Sequence, residues 1–199
     1  MSEVSPKTEN IEDKIWITSR VRMISEARML RNNNWSLFLL AYYSVFTVVL
    51  AVFPKYFEAY FVYFDGISVA ASVAVLVASL VVGGFRFERT ASLFRDCYLA
   101  LQKLTDSDVD TNAKRQRYSD ILQMCPNHSN GDYYDFMVSH TYLNGKRVWS
   151  AGEEVKFTPN MVRSYYFRQM VFCVLMLCLV AVPLAFVLAP LIAPMAKVA

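Results

Sequence analysis

Residues 66–104 read GISVAASVAVLVASLVVGGFRFERTASLFRDCYLALQKL, and this stretch decides the fold. Its first twenty residues, 66–85, carry no charge, whereas residues 86–104 are charged and amphipathic. A helix rises ~1.5 Å per residue, so twenty residues reach about 30 Å, the thickness of the hydrocarbon core of a bilayer. No proline or turn cluster separates the two halves. We therefore expect one unbroken helix that crosses the membrane and continues into water.

Hydrophobic residues make up 55% of the 199 residues, and they are concentrated in three uncharged blocks, 35–54, 66–85 and 169–196. Such clustering distinguishes an integral membrane protein from a soluble protein with a large core. In the third block Pro183 predicts a kink, which limits the span to about residues 170–189. The net charge of +3 is too small to argue for nucleic-acid binding, and none is expected.

Lysine and arginine are distributed unevenly around these blocks. Six precede the first block, only Lys55 lies between the first and second, twelve lie between the second and third, and Lys197 follows the third. Positive residues near the ends of spans are retained in the cytoplasm. The sequence therefore predicts a multi-pass membrane protein, with the N-terminus in the cytoplasm and the C-terminus outside.

The blocks divide the chain into four segments. Residues 1–34 are predicted to contain a cytoplasmic amphipathic helix whose apolar side chains, including Ile17, Val21 and Ile24, recur every three or four residues. We expect this helix to pack on residues 86–104, and three asparagines at 32–34 to interrupt it before the first span. A transmembrane hairpin follows over residues 35–85, then a cytoplasmic helical domain over 86–168. A third span with a short outer tail occupies residues 169–199. The predicted fold class is all-α.

Small residues recur along the second block at Ser68, Ser72, Ser79 and Gly83, and these four residues form the small-residue strip. Such a strip lets helix backbones approach closely in lipid. Two interpretations remain open: the strip packs the second span on the first, or it joins copies of the chain into an oligomer whose serines line a pore. Gly83 and Gly84, at the end of the block, are the predicted hinge.

Residues 86–104 carry an apolar row with alternating spacings of four and three, which we call the seam: Phe87, Ala91, Phe94, Tyr98 and Leu101. This spacing is typical of a helical bundle or a short coiled coil. Its partners are predicted to be the N-terminal helix, the later cytoplasmic helices or another copy of the chain.

Beyond the seam, residues 113–124 and 132–140 are predicted to be helical, with Asp132 in the first turn of the second. Residues 142–158 form either a hairpin that turns at Asn144 and Gly145 or a loop. Thr158 and Pro159 mark the start of a helix that continues into the third span.

The chemistry-bearing residues of this region do not complete a site. Cys125 and His128, with two aspartates and His140 nearby, could begin a zinc site, but structural zinc sites use four Cys or His ligands. We therefore interpret residues 125–131 as a loop and predict no metal and no cofactor. The four cysteines imply no disulfide framework and fit a reducing compartment. The absence of a phosphate-binding glycine loop and of ionisable residues in the spans (weakly acidic cysteines aside) argues against an enzyme and a coupled transporter.

The layout resembles a known family. The segments WITSRVRMISEARMLRNNNWS, FRFERTASLFRDCYLALQKL and RYSDILQMCPNHSNGDYYDF flank or follow a two-span hairpin, as in the SLATT family of prokaryotic conflict systems. They look most like the subgroup often encoded beside reverse transcriptases, and the third span departs from the two-span plan. The resemblance covers about residues 11–136 and rests on the hairpin and these positions: Arg28, Glu88, Ala91, Tyr98, Leu101, Leu104, Tyr118 and Pro126–His128.

This resemblance implies a non-enzymatic, oligomeric effector of anti-phage defence in the prokaryotic inner membrane. A reverse transcriptase or nucleotide-signalling protein encoded nearby would report infection, and the effector would then form pores or disrupt the membrane, causing abortive infection. The alternative from the residues is a membrane-anchored module that binds a nucleotide or a partner protein through its basic cytoplasmic side chains. Those side chains are Lys114, Arg115, Arg117, Lys146 and Arg147.

Overall fold

The computed structural model of this protein describes residues 10–150 and 152–192. Within them the chain forms seven α-helices, one π-helix and a two-stranded antiparallel ribbon. The elements are α1 Ile11–Val52, α2 Pro54–Glu58, α3 Phe64–Phe85, α4 Phe87–Thr105, α5 Thr111–Met124, α6 Asn130–Met137, the π-helix Val138–Leu143, β1 Trp149–Ser150, β2 Glu153–Glu154 and α7 Pro159–Ile192. The first nine residues and the predicted outer tail lie outside the described residues.

The chain divides into two compact units. The bundle unit comprises residues 10–31 and 87–169, and the spanning unit comprises residues 32–86 and 170–192. Three helical stretches, in α1, α3 and α7, are long and apolar enough to cross a membrane. The predicted all-α membrane fold is therefore confirmed.

Helix α1 does not stop at its three asparagines. It runs without interruption from Ile11 to Val52, so the predicted break at residues 32–34 is wrong. Asparagine costs only ~0.7 kcal/mol relative to alanine inside a helix, and the helix-forming residues on either side outweigh that cost. The amphipathic segment and the first span are thus one element.

The predicted unbroken helix over residues 66–104 is also wrong. Helix α3 ends at Phe85, and α4 begins at Phe87. Between them Arg86 takes the left-handed conformation, with φ 47° and ψ 40°, as the residue after a helix often does. This conformation is uncommon for residues other than glycine. Because position 86 is an arginine, its residue type gave no sign that the helix breaks there.

The bundle unit has two apolar clusters, both built on α1. In the first, Ile11 and Ile15 of α1 pack with Leu101 and Leu104 of α4 and Tyr118 of α5. In the second, Val21 packs with three residues contributed by α6 and the chain before β1: Phe136, Met137 and Val148. The N-terminal helix therefore packs on α4, as predicted, and also on α6.

The segment between α6 and α7 contains a hairpin, but not at the predicted turn. The predicted turn residues instead follow the π-helix: Asn144 is its C-cap, and Gly145 comes next with φ 63°. The ribbon instead pairs Trp149 with Glu154 and has Gly152, with φ 75°, in its connection. Helix α7 starts as predicted, because Thr158 Oγ1 accepts a hydrogen bond from the Met161 backbone N–H at 3.4 Å.

In the spanning unit, side-chain hydrogen bonds and aromatic rings join α1 to α7. The Tyr42 and Tyr43 hydroxyls donate to the carbonyl oxygens of Val180 and Leu179, each at 2.8 Å. Near the loop that joins α1 to α3, the Phe61 and Phe186 rings stack with centroids 4.3 Å apart beside three buried residues, Leu50, Phe57 and Phe64. Helix α3 contributes Phe64 to that aromatic cluster.

Candidate functional site

Asp132 of α6 is fully buried and accepts five hydrogen bonds. Its Oδ1 accepts from Arg28 Nε at 2.6 Å. Its Oδ2 accepts from Arg28 Nη2 at 3.0 Å, from Ser25 Oγ at 3.0 Å, and from the Ser129 backbone N–H and hydroxyl at 3.0 and 2.9 Å. Because Arg28 and Ser25 belong to α1, this one carboxylate fixes the start of α6 to α1.

The local sequence explains why the carboxylate sits there. Ser129 is the N-cap of α6 and Asp132 is its third residue, so each side chain bonds the other's backbone N–H in a capping box. Burial alone would raise the pKa of Asp132, but the hydrogen bonds from Arg28 and Ser129 outweigh it and lower that pKa. Asp132 is therefore held as a carboxylate.

Asp135 lies one turn further along α6, three residues on, so it projects from a neighbouring part of the helix surface. Its Oδ1 accepts from Arg168 Nη2 of α7 at 2.7 Å, and the same nitrogen donates to the Gly131 carbonyl oxygen at 2.9 Å. Burial raises the pKa of Asp135, and the charge of Arg168 opposes that rise. We call Asp132 and Asp135 the α6 carboxylate pair.

Two further basic side chains lie close to this pair. Arg22 of α1 is only 2% exposed, and its guanidinium lies 5.8 Å from the Phe94 ring centroid. Within the described residues, neither Arg22 Nε and Nη1 nor His128 Nδ1 has a hydrogen-bond partner. Burial lowers the pKa of both groups, and the charge of Arg22 lowers that of His128 further. His128 is therefore held neutral beside buried positive charge.

The sequence placed Asp132 in the first turn of α6 but not its pairing with Arg28. Two signals were present: Ser129 precedes Asp132 by three residues, which is the spacing of a capping box, and Arg28 is one of the positions that carry the family resemblance. Asp135 with Arg168 carried no such signal, since the two are distant in sequence and nothing local links them.

Three of the four residues of the small-residue strip are exposed. Ser72, Ser79 and Gly83 are exposed, and Ser68 is half-buried. The Ser72 and Ser79 hydroxyls donate to carbonyl oxygens of their own helix, Ser68 at 3.0 Å and Leu76 at 2.7 Å. The face of α3 that meets α1 and α7 is the neighbouring one, which lines a cavity of about 540 Å³ and includes Ala71, Ala74, Val75, Ala78 and Val82.

The seam is covered by its own chain. Ala91, Phe94 and Leu101 are buried, while Phe87 and Tyr98 are half-buried. Of the predicted partners, the N-terminal helix and α5 are therefore present within a single copy. Gly83 and Gly84 lie inside α3 with open space around each Cα, and the helix ends just beyond them at Arg86. Their role as a hinge stays a prediction.

The comparison with protein families gives the chain its classification. Residues 4–192 match the family model described as SMODS and SLOG-associating 2TM effector domain family 5. The chain belongs to the SLATT family. No curated protein and no solved structure matches it.

The SLATT match extends to the end of α7, so the third apolar helix lies inside the matched region, although the family description names two spans. The resemblance drawn from residues 11–136 is confirmed at the level of the family. The description marks the matched region as an effector domain.

The structure overturns one expectation about the cysteines of this SLATT chain. Cys97 and Cys125 form a disulfide with a Cα–Cα distance of 5.8 Å, whereas Cys173 and Cys178 are free. Residues 97 and 125 meet because α4 and α5 pack together, which their spacing of 28 does not reveal. His140 contacts the Trp16 and Phe136 rings at 5.3 and 5.4 Å. Among the described residues no cluster of three His, Cys, Asp or Glu side chains is placed to hold a metal ion.

Proposed function

We propose that this protein is the membrane effector of a prokaryotic anti-phage system, and that on activation it permeabilises the inner membrane and stops growth of the infected cell. Two findings support the proposal. The family is one of effector domains associated with defence, and three apolar helices are long enough to span a bilayer.

The α6 carboxylate pair carries the mechanistic part of the proposal. Asp132 binds Arg28 of α1, and Asp135 binds Arg168 of α7. Both of these helices continue along the chain as apolar spans, α1 to Val52 and α7 to Ile192. A movement of α6 would therefore pull on two helices that continue as spans, and release of either ion pair would remove one polar link between α6 and such a helix. In this proposal the resting state keeps both pairs closed.

Self-association is assigned to α3. Its small-residue strip is exposed along Ser72, Ser79 and Gly83, and the Ser72 and Ser79 hydroxyls donate to carbonyl oxygens of α3 itself. In lipid, small residues and hydroxyls favour close approach of helices. The seam is a second surface only if the bundle unit opens, because its central residues are buried within one copy. Oligomerisation through α3 would then precede pore formation.

Orientation and partners follow the charge distribution. Twelve lysines and arginines lie between the second and third spans, which favours a cytoplasmic bundle unit and a cytoplasmic N-terminus. The activating partner would be a reverse transcriptase or a nucleotide-signalling protein encoded nearby, and the bundle unit is the part within its reach. The effector needs no catalysis of its own.

A membrane-potential dye tests the proposal in cells that carry the whole defence system. Depolarisation after infection, in cells with the intact protein and not in cells that lack it, is the expected result. If infected cells that carry the defence system kept their full membrane potential, the pore-forming function would be excluded. Exchange of all three spans for an unrelated anchor provides the second arm: protection that survives the exchange would favour the membrane-anchored binding module instead.

A further inference from the structure

The Cys97–Cys125 disulfide lies at the join of two helices of the bundle unit. Cys97 is on α4, 2% exposed, and part of the cluster formed with Ile15 and Leu101. Cys125 is the C-cap residue of α5 and is half-buried. The two sulfur atoms therefore differ in access: a reagent from solvent reaches the Cys125 side of the bond first.

The proposed orientation gives this bond its significance, and the inference rests on that part of the proposed function. A bundle unit on the cytoplasmic side is bathed in thiols that keep most cysteines reduced. Disulfides found there in mesophiles are usually transient and serve catalysis or redox sensing. We propose that Cys97 and Cys125 form a reversible redox modification site, opened and closed by thiol–disulfide exchange with a low-molecular-weight thiol or a dithiol protein.

The exchange balances without any further reactant. To open the bond, a thiolate of the reductant attacks Cys125 Sγ, the Sγ–Sγ bond breaks, and Cys97 leaves as a thiolate that takes up a proton. A second reductant thiol then attacks the mixed disulfide, releases Cys125 as a thiol and leaves as the oxidised disulfide. Two electrons pass from the reductant to the protein. Closure is the reverse, with an oxidised disulfide such as that of glutathione as the electron acceptor.

The site adjoins the α6 carboxylate pair through the chain. Only three residues separate Cys125 from Ser129, the N-cap that bonds Asp132, and one of them is the half-buried His128. The closed bond fixes the start of this loop to α4. Reduction removes this cross-link and leaves the start of the loop held to α4 only by the packing of Cys125 and its neighbours on the apolar cluster. The oxidised form is therefore the more rigid state of the loop that begins α6.

The test uses the full-length chain in detergent, with Cys173 and Cys178 replaced by serine so that only the pair reports. The protein is equilibrated in reduced and oxidised glutathione mixtures, quenched with acid and alkylated with a maleimide that adds mass. We expect both cysteines to become alkylated together, with a midpoint at the glutathione ratios found in cytosol. A bond that stays closed until the protein unfolds, or two thiols that never pair in the oxidised buffers, would overturn the proposal.

Two single variants guard against a misfolded reporter. In oxidising buffer, Cys97→Ser and Cys125→Ser should each melt lower than the intact pair by roughly 5–15 °C, because both remove the cross-link. In reducing buffer, the protein with both cysteines should have the same melting temperature as the two variants. Equal melting of oxidised and reduced intact protein would contradict the claimed restraint. Alkylation of whole cells before and after a thiol oxidant then tests orientation separately: an inaccessible pair in cells would contradict the cytoplasmic site while leaving the purified-protein titration unaffected.

Discussion

Removal of the Arg28 side chain is the perturbation whose size the structure defines best. Arg28→Ala deletes both bonds to Asp132, at 2.6 and 3.0 Å, and leaves a fully buried carboxylate. Loss of one partner of a buried pair typically costs 3–5 kcal/mol. Because Ser25 Oγ and the Ser129 N–H and hydroxyl still donate to Asp132, we expect about 3 kcal/mol, the lower end of that range.

A double-mutant cycle separates the pair from the capping box. Asp132→Ala also destroys the cap, so its own cost is larger, but the coupling energy in the double variant isolates the Arg28–Asp132 contact and should reach about 2 kcal/mol. The chain supplies a matched control in Arg147 and Glu154, which lie 3.7 Å apart with side chains 72% and 37% exposed. Exposed pairs contribute at most about 1 kcal/mol.

The assay is denaturant unfolding of the purified full-length protein in detergent, followed by tryptophan fluorescence. Trp16 reports on the bundle unit because its ring contacts Phe136 of α6 at 5.8 Å. A coupling energy for Arg28–Asp132 no larger than that for the exposed control pair would refute the claim that this carboxylate fixes α6 to α1.

Three further outcomes follow from individual residues. His128 has a pKa lowered by burial, so the unfolded chain binds its proton more readily and unfolding free energy should fall as pH drops below about 6.5; His128→Gln should flatten that dependence in a pH series of unfolding curves. At the left-handed Arg86, the glycine variant should be more stable than the alanine variant by about 1 kcal/mol by denaturant midpoint, and equal midpoints would exclude that conformation. The double variant Ser72→Ala with Ser79→Ala should leave the free energy of unfolding unchanged but reduce depolarisation of infected cells. The control Ser44→Ala removes a similar bond within α1 and should change neither quantity. Normal depolarisation with the double variant would show that the strip does not contribute to the pore.

Local sequence patterns predicted most of the fold. Uncharged blocks of about twenty residues located the three spans, and spacings of three and four located the apolar sides of α1 and α4. The start of α7 was predictable because Thr158 and Pro159 form a local signal. These features depend on neighbours in sequence, which is why the sequence alone carries them.

Features that depend on tertiary contact were missed or misplaced. The left-handed Arg86 has no residue-type signal, and the turn residues Asn144 and Gly145 end a π-helix instead of joining two strands. The Cys97–Cys125 disulfide and the Asp135–Arg168 pair link residues separated by 28 and 33 positions. Such pairs form only when helices pack, and no period in the sequence specifies which helices meet.

The α6 carboxylate pair also shows how far a partial signal leads. Asp132 was expected at the start of a helix because an acidic residue favours that end, and this is confirmed. Its main partner, Arg28, was known only as one of the positions shared with the family. The sequence indicated each of the two residues separately, and only the structure shows that they contact each other.

The central claim is that α6 controls the spans through its ion pairs, and the Asp135–Arg168 pair tests it most directly. Membrane potential is measured in infected cells that carry the defence system with Asp135→Asn, Arg168→Gln or both, at equal amounts of membrane-inserted protein. Each single variant leaves one charge unpaired at a contact of 2.7 Å, so each should change the extent of depolarisation, and the double variant should change it no more than either single. Wild-type depolarisation in all three, or effects that simply add, would contradict the account.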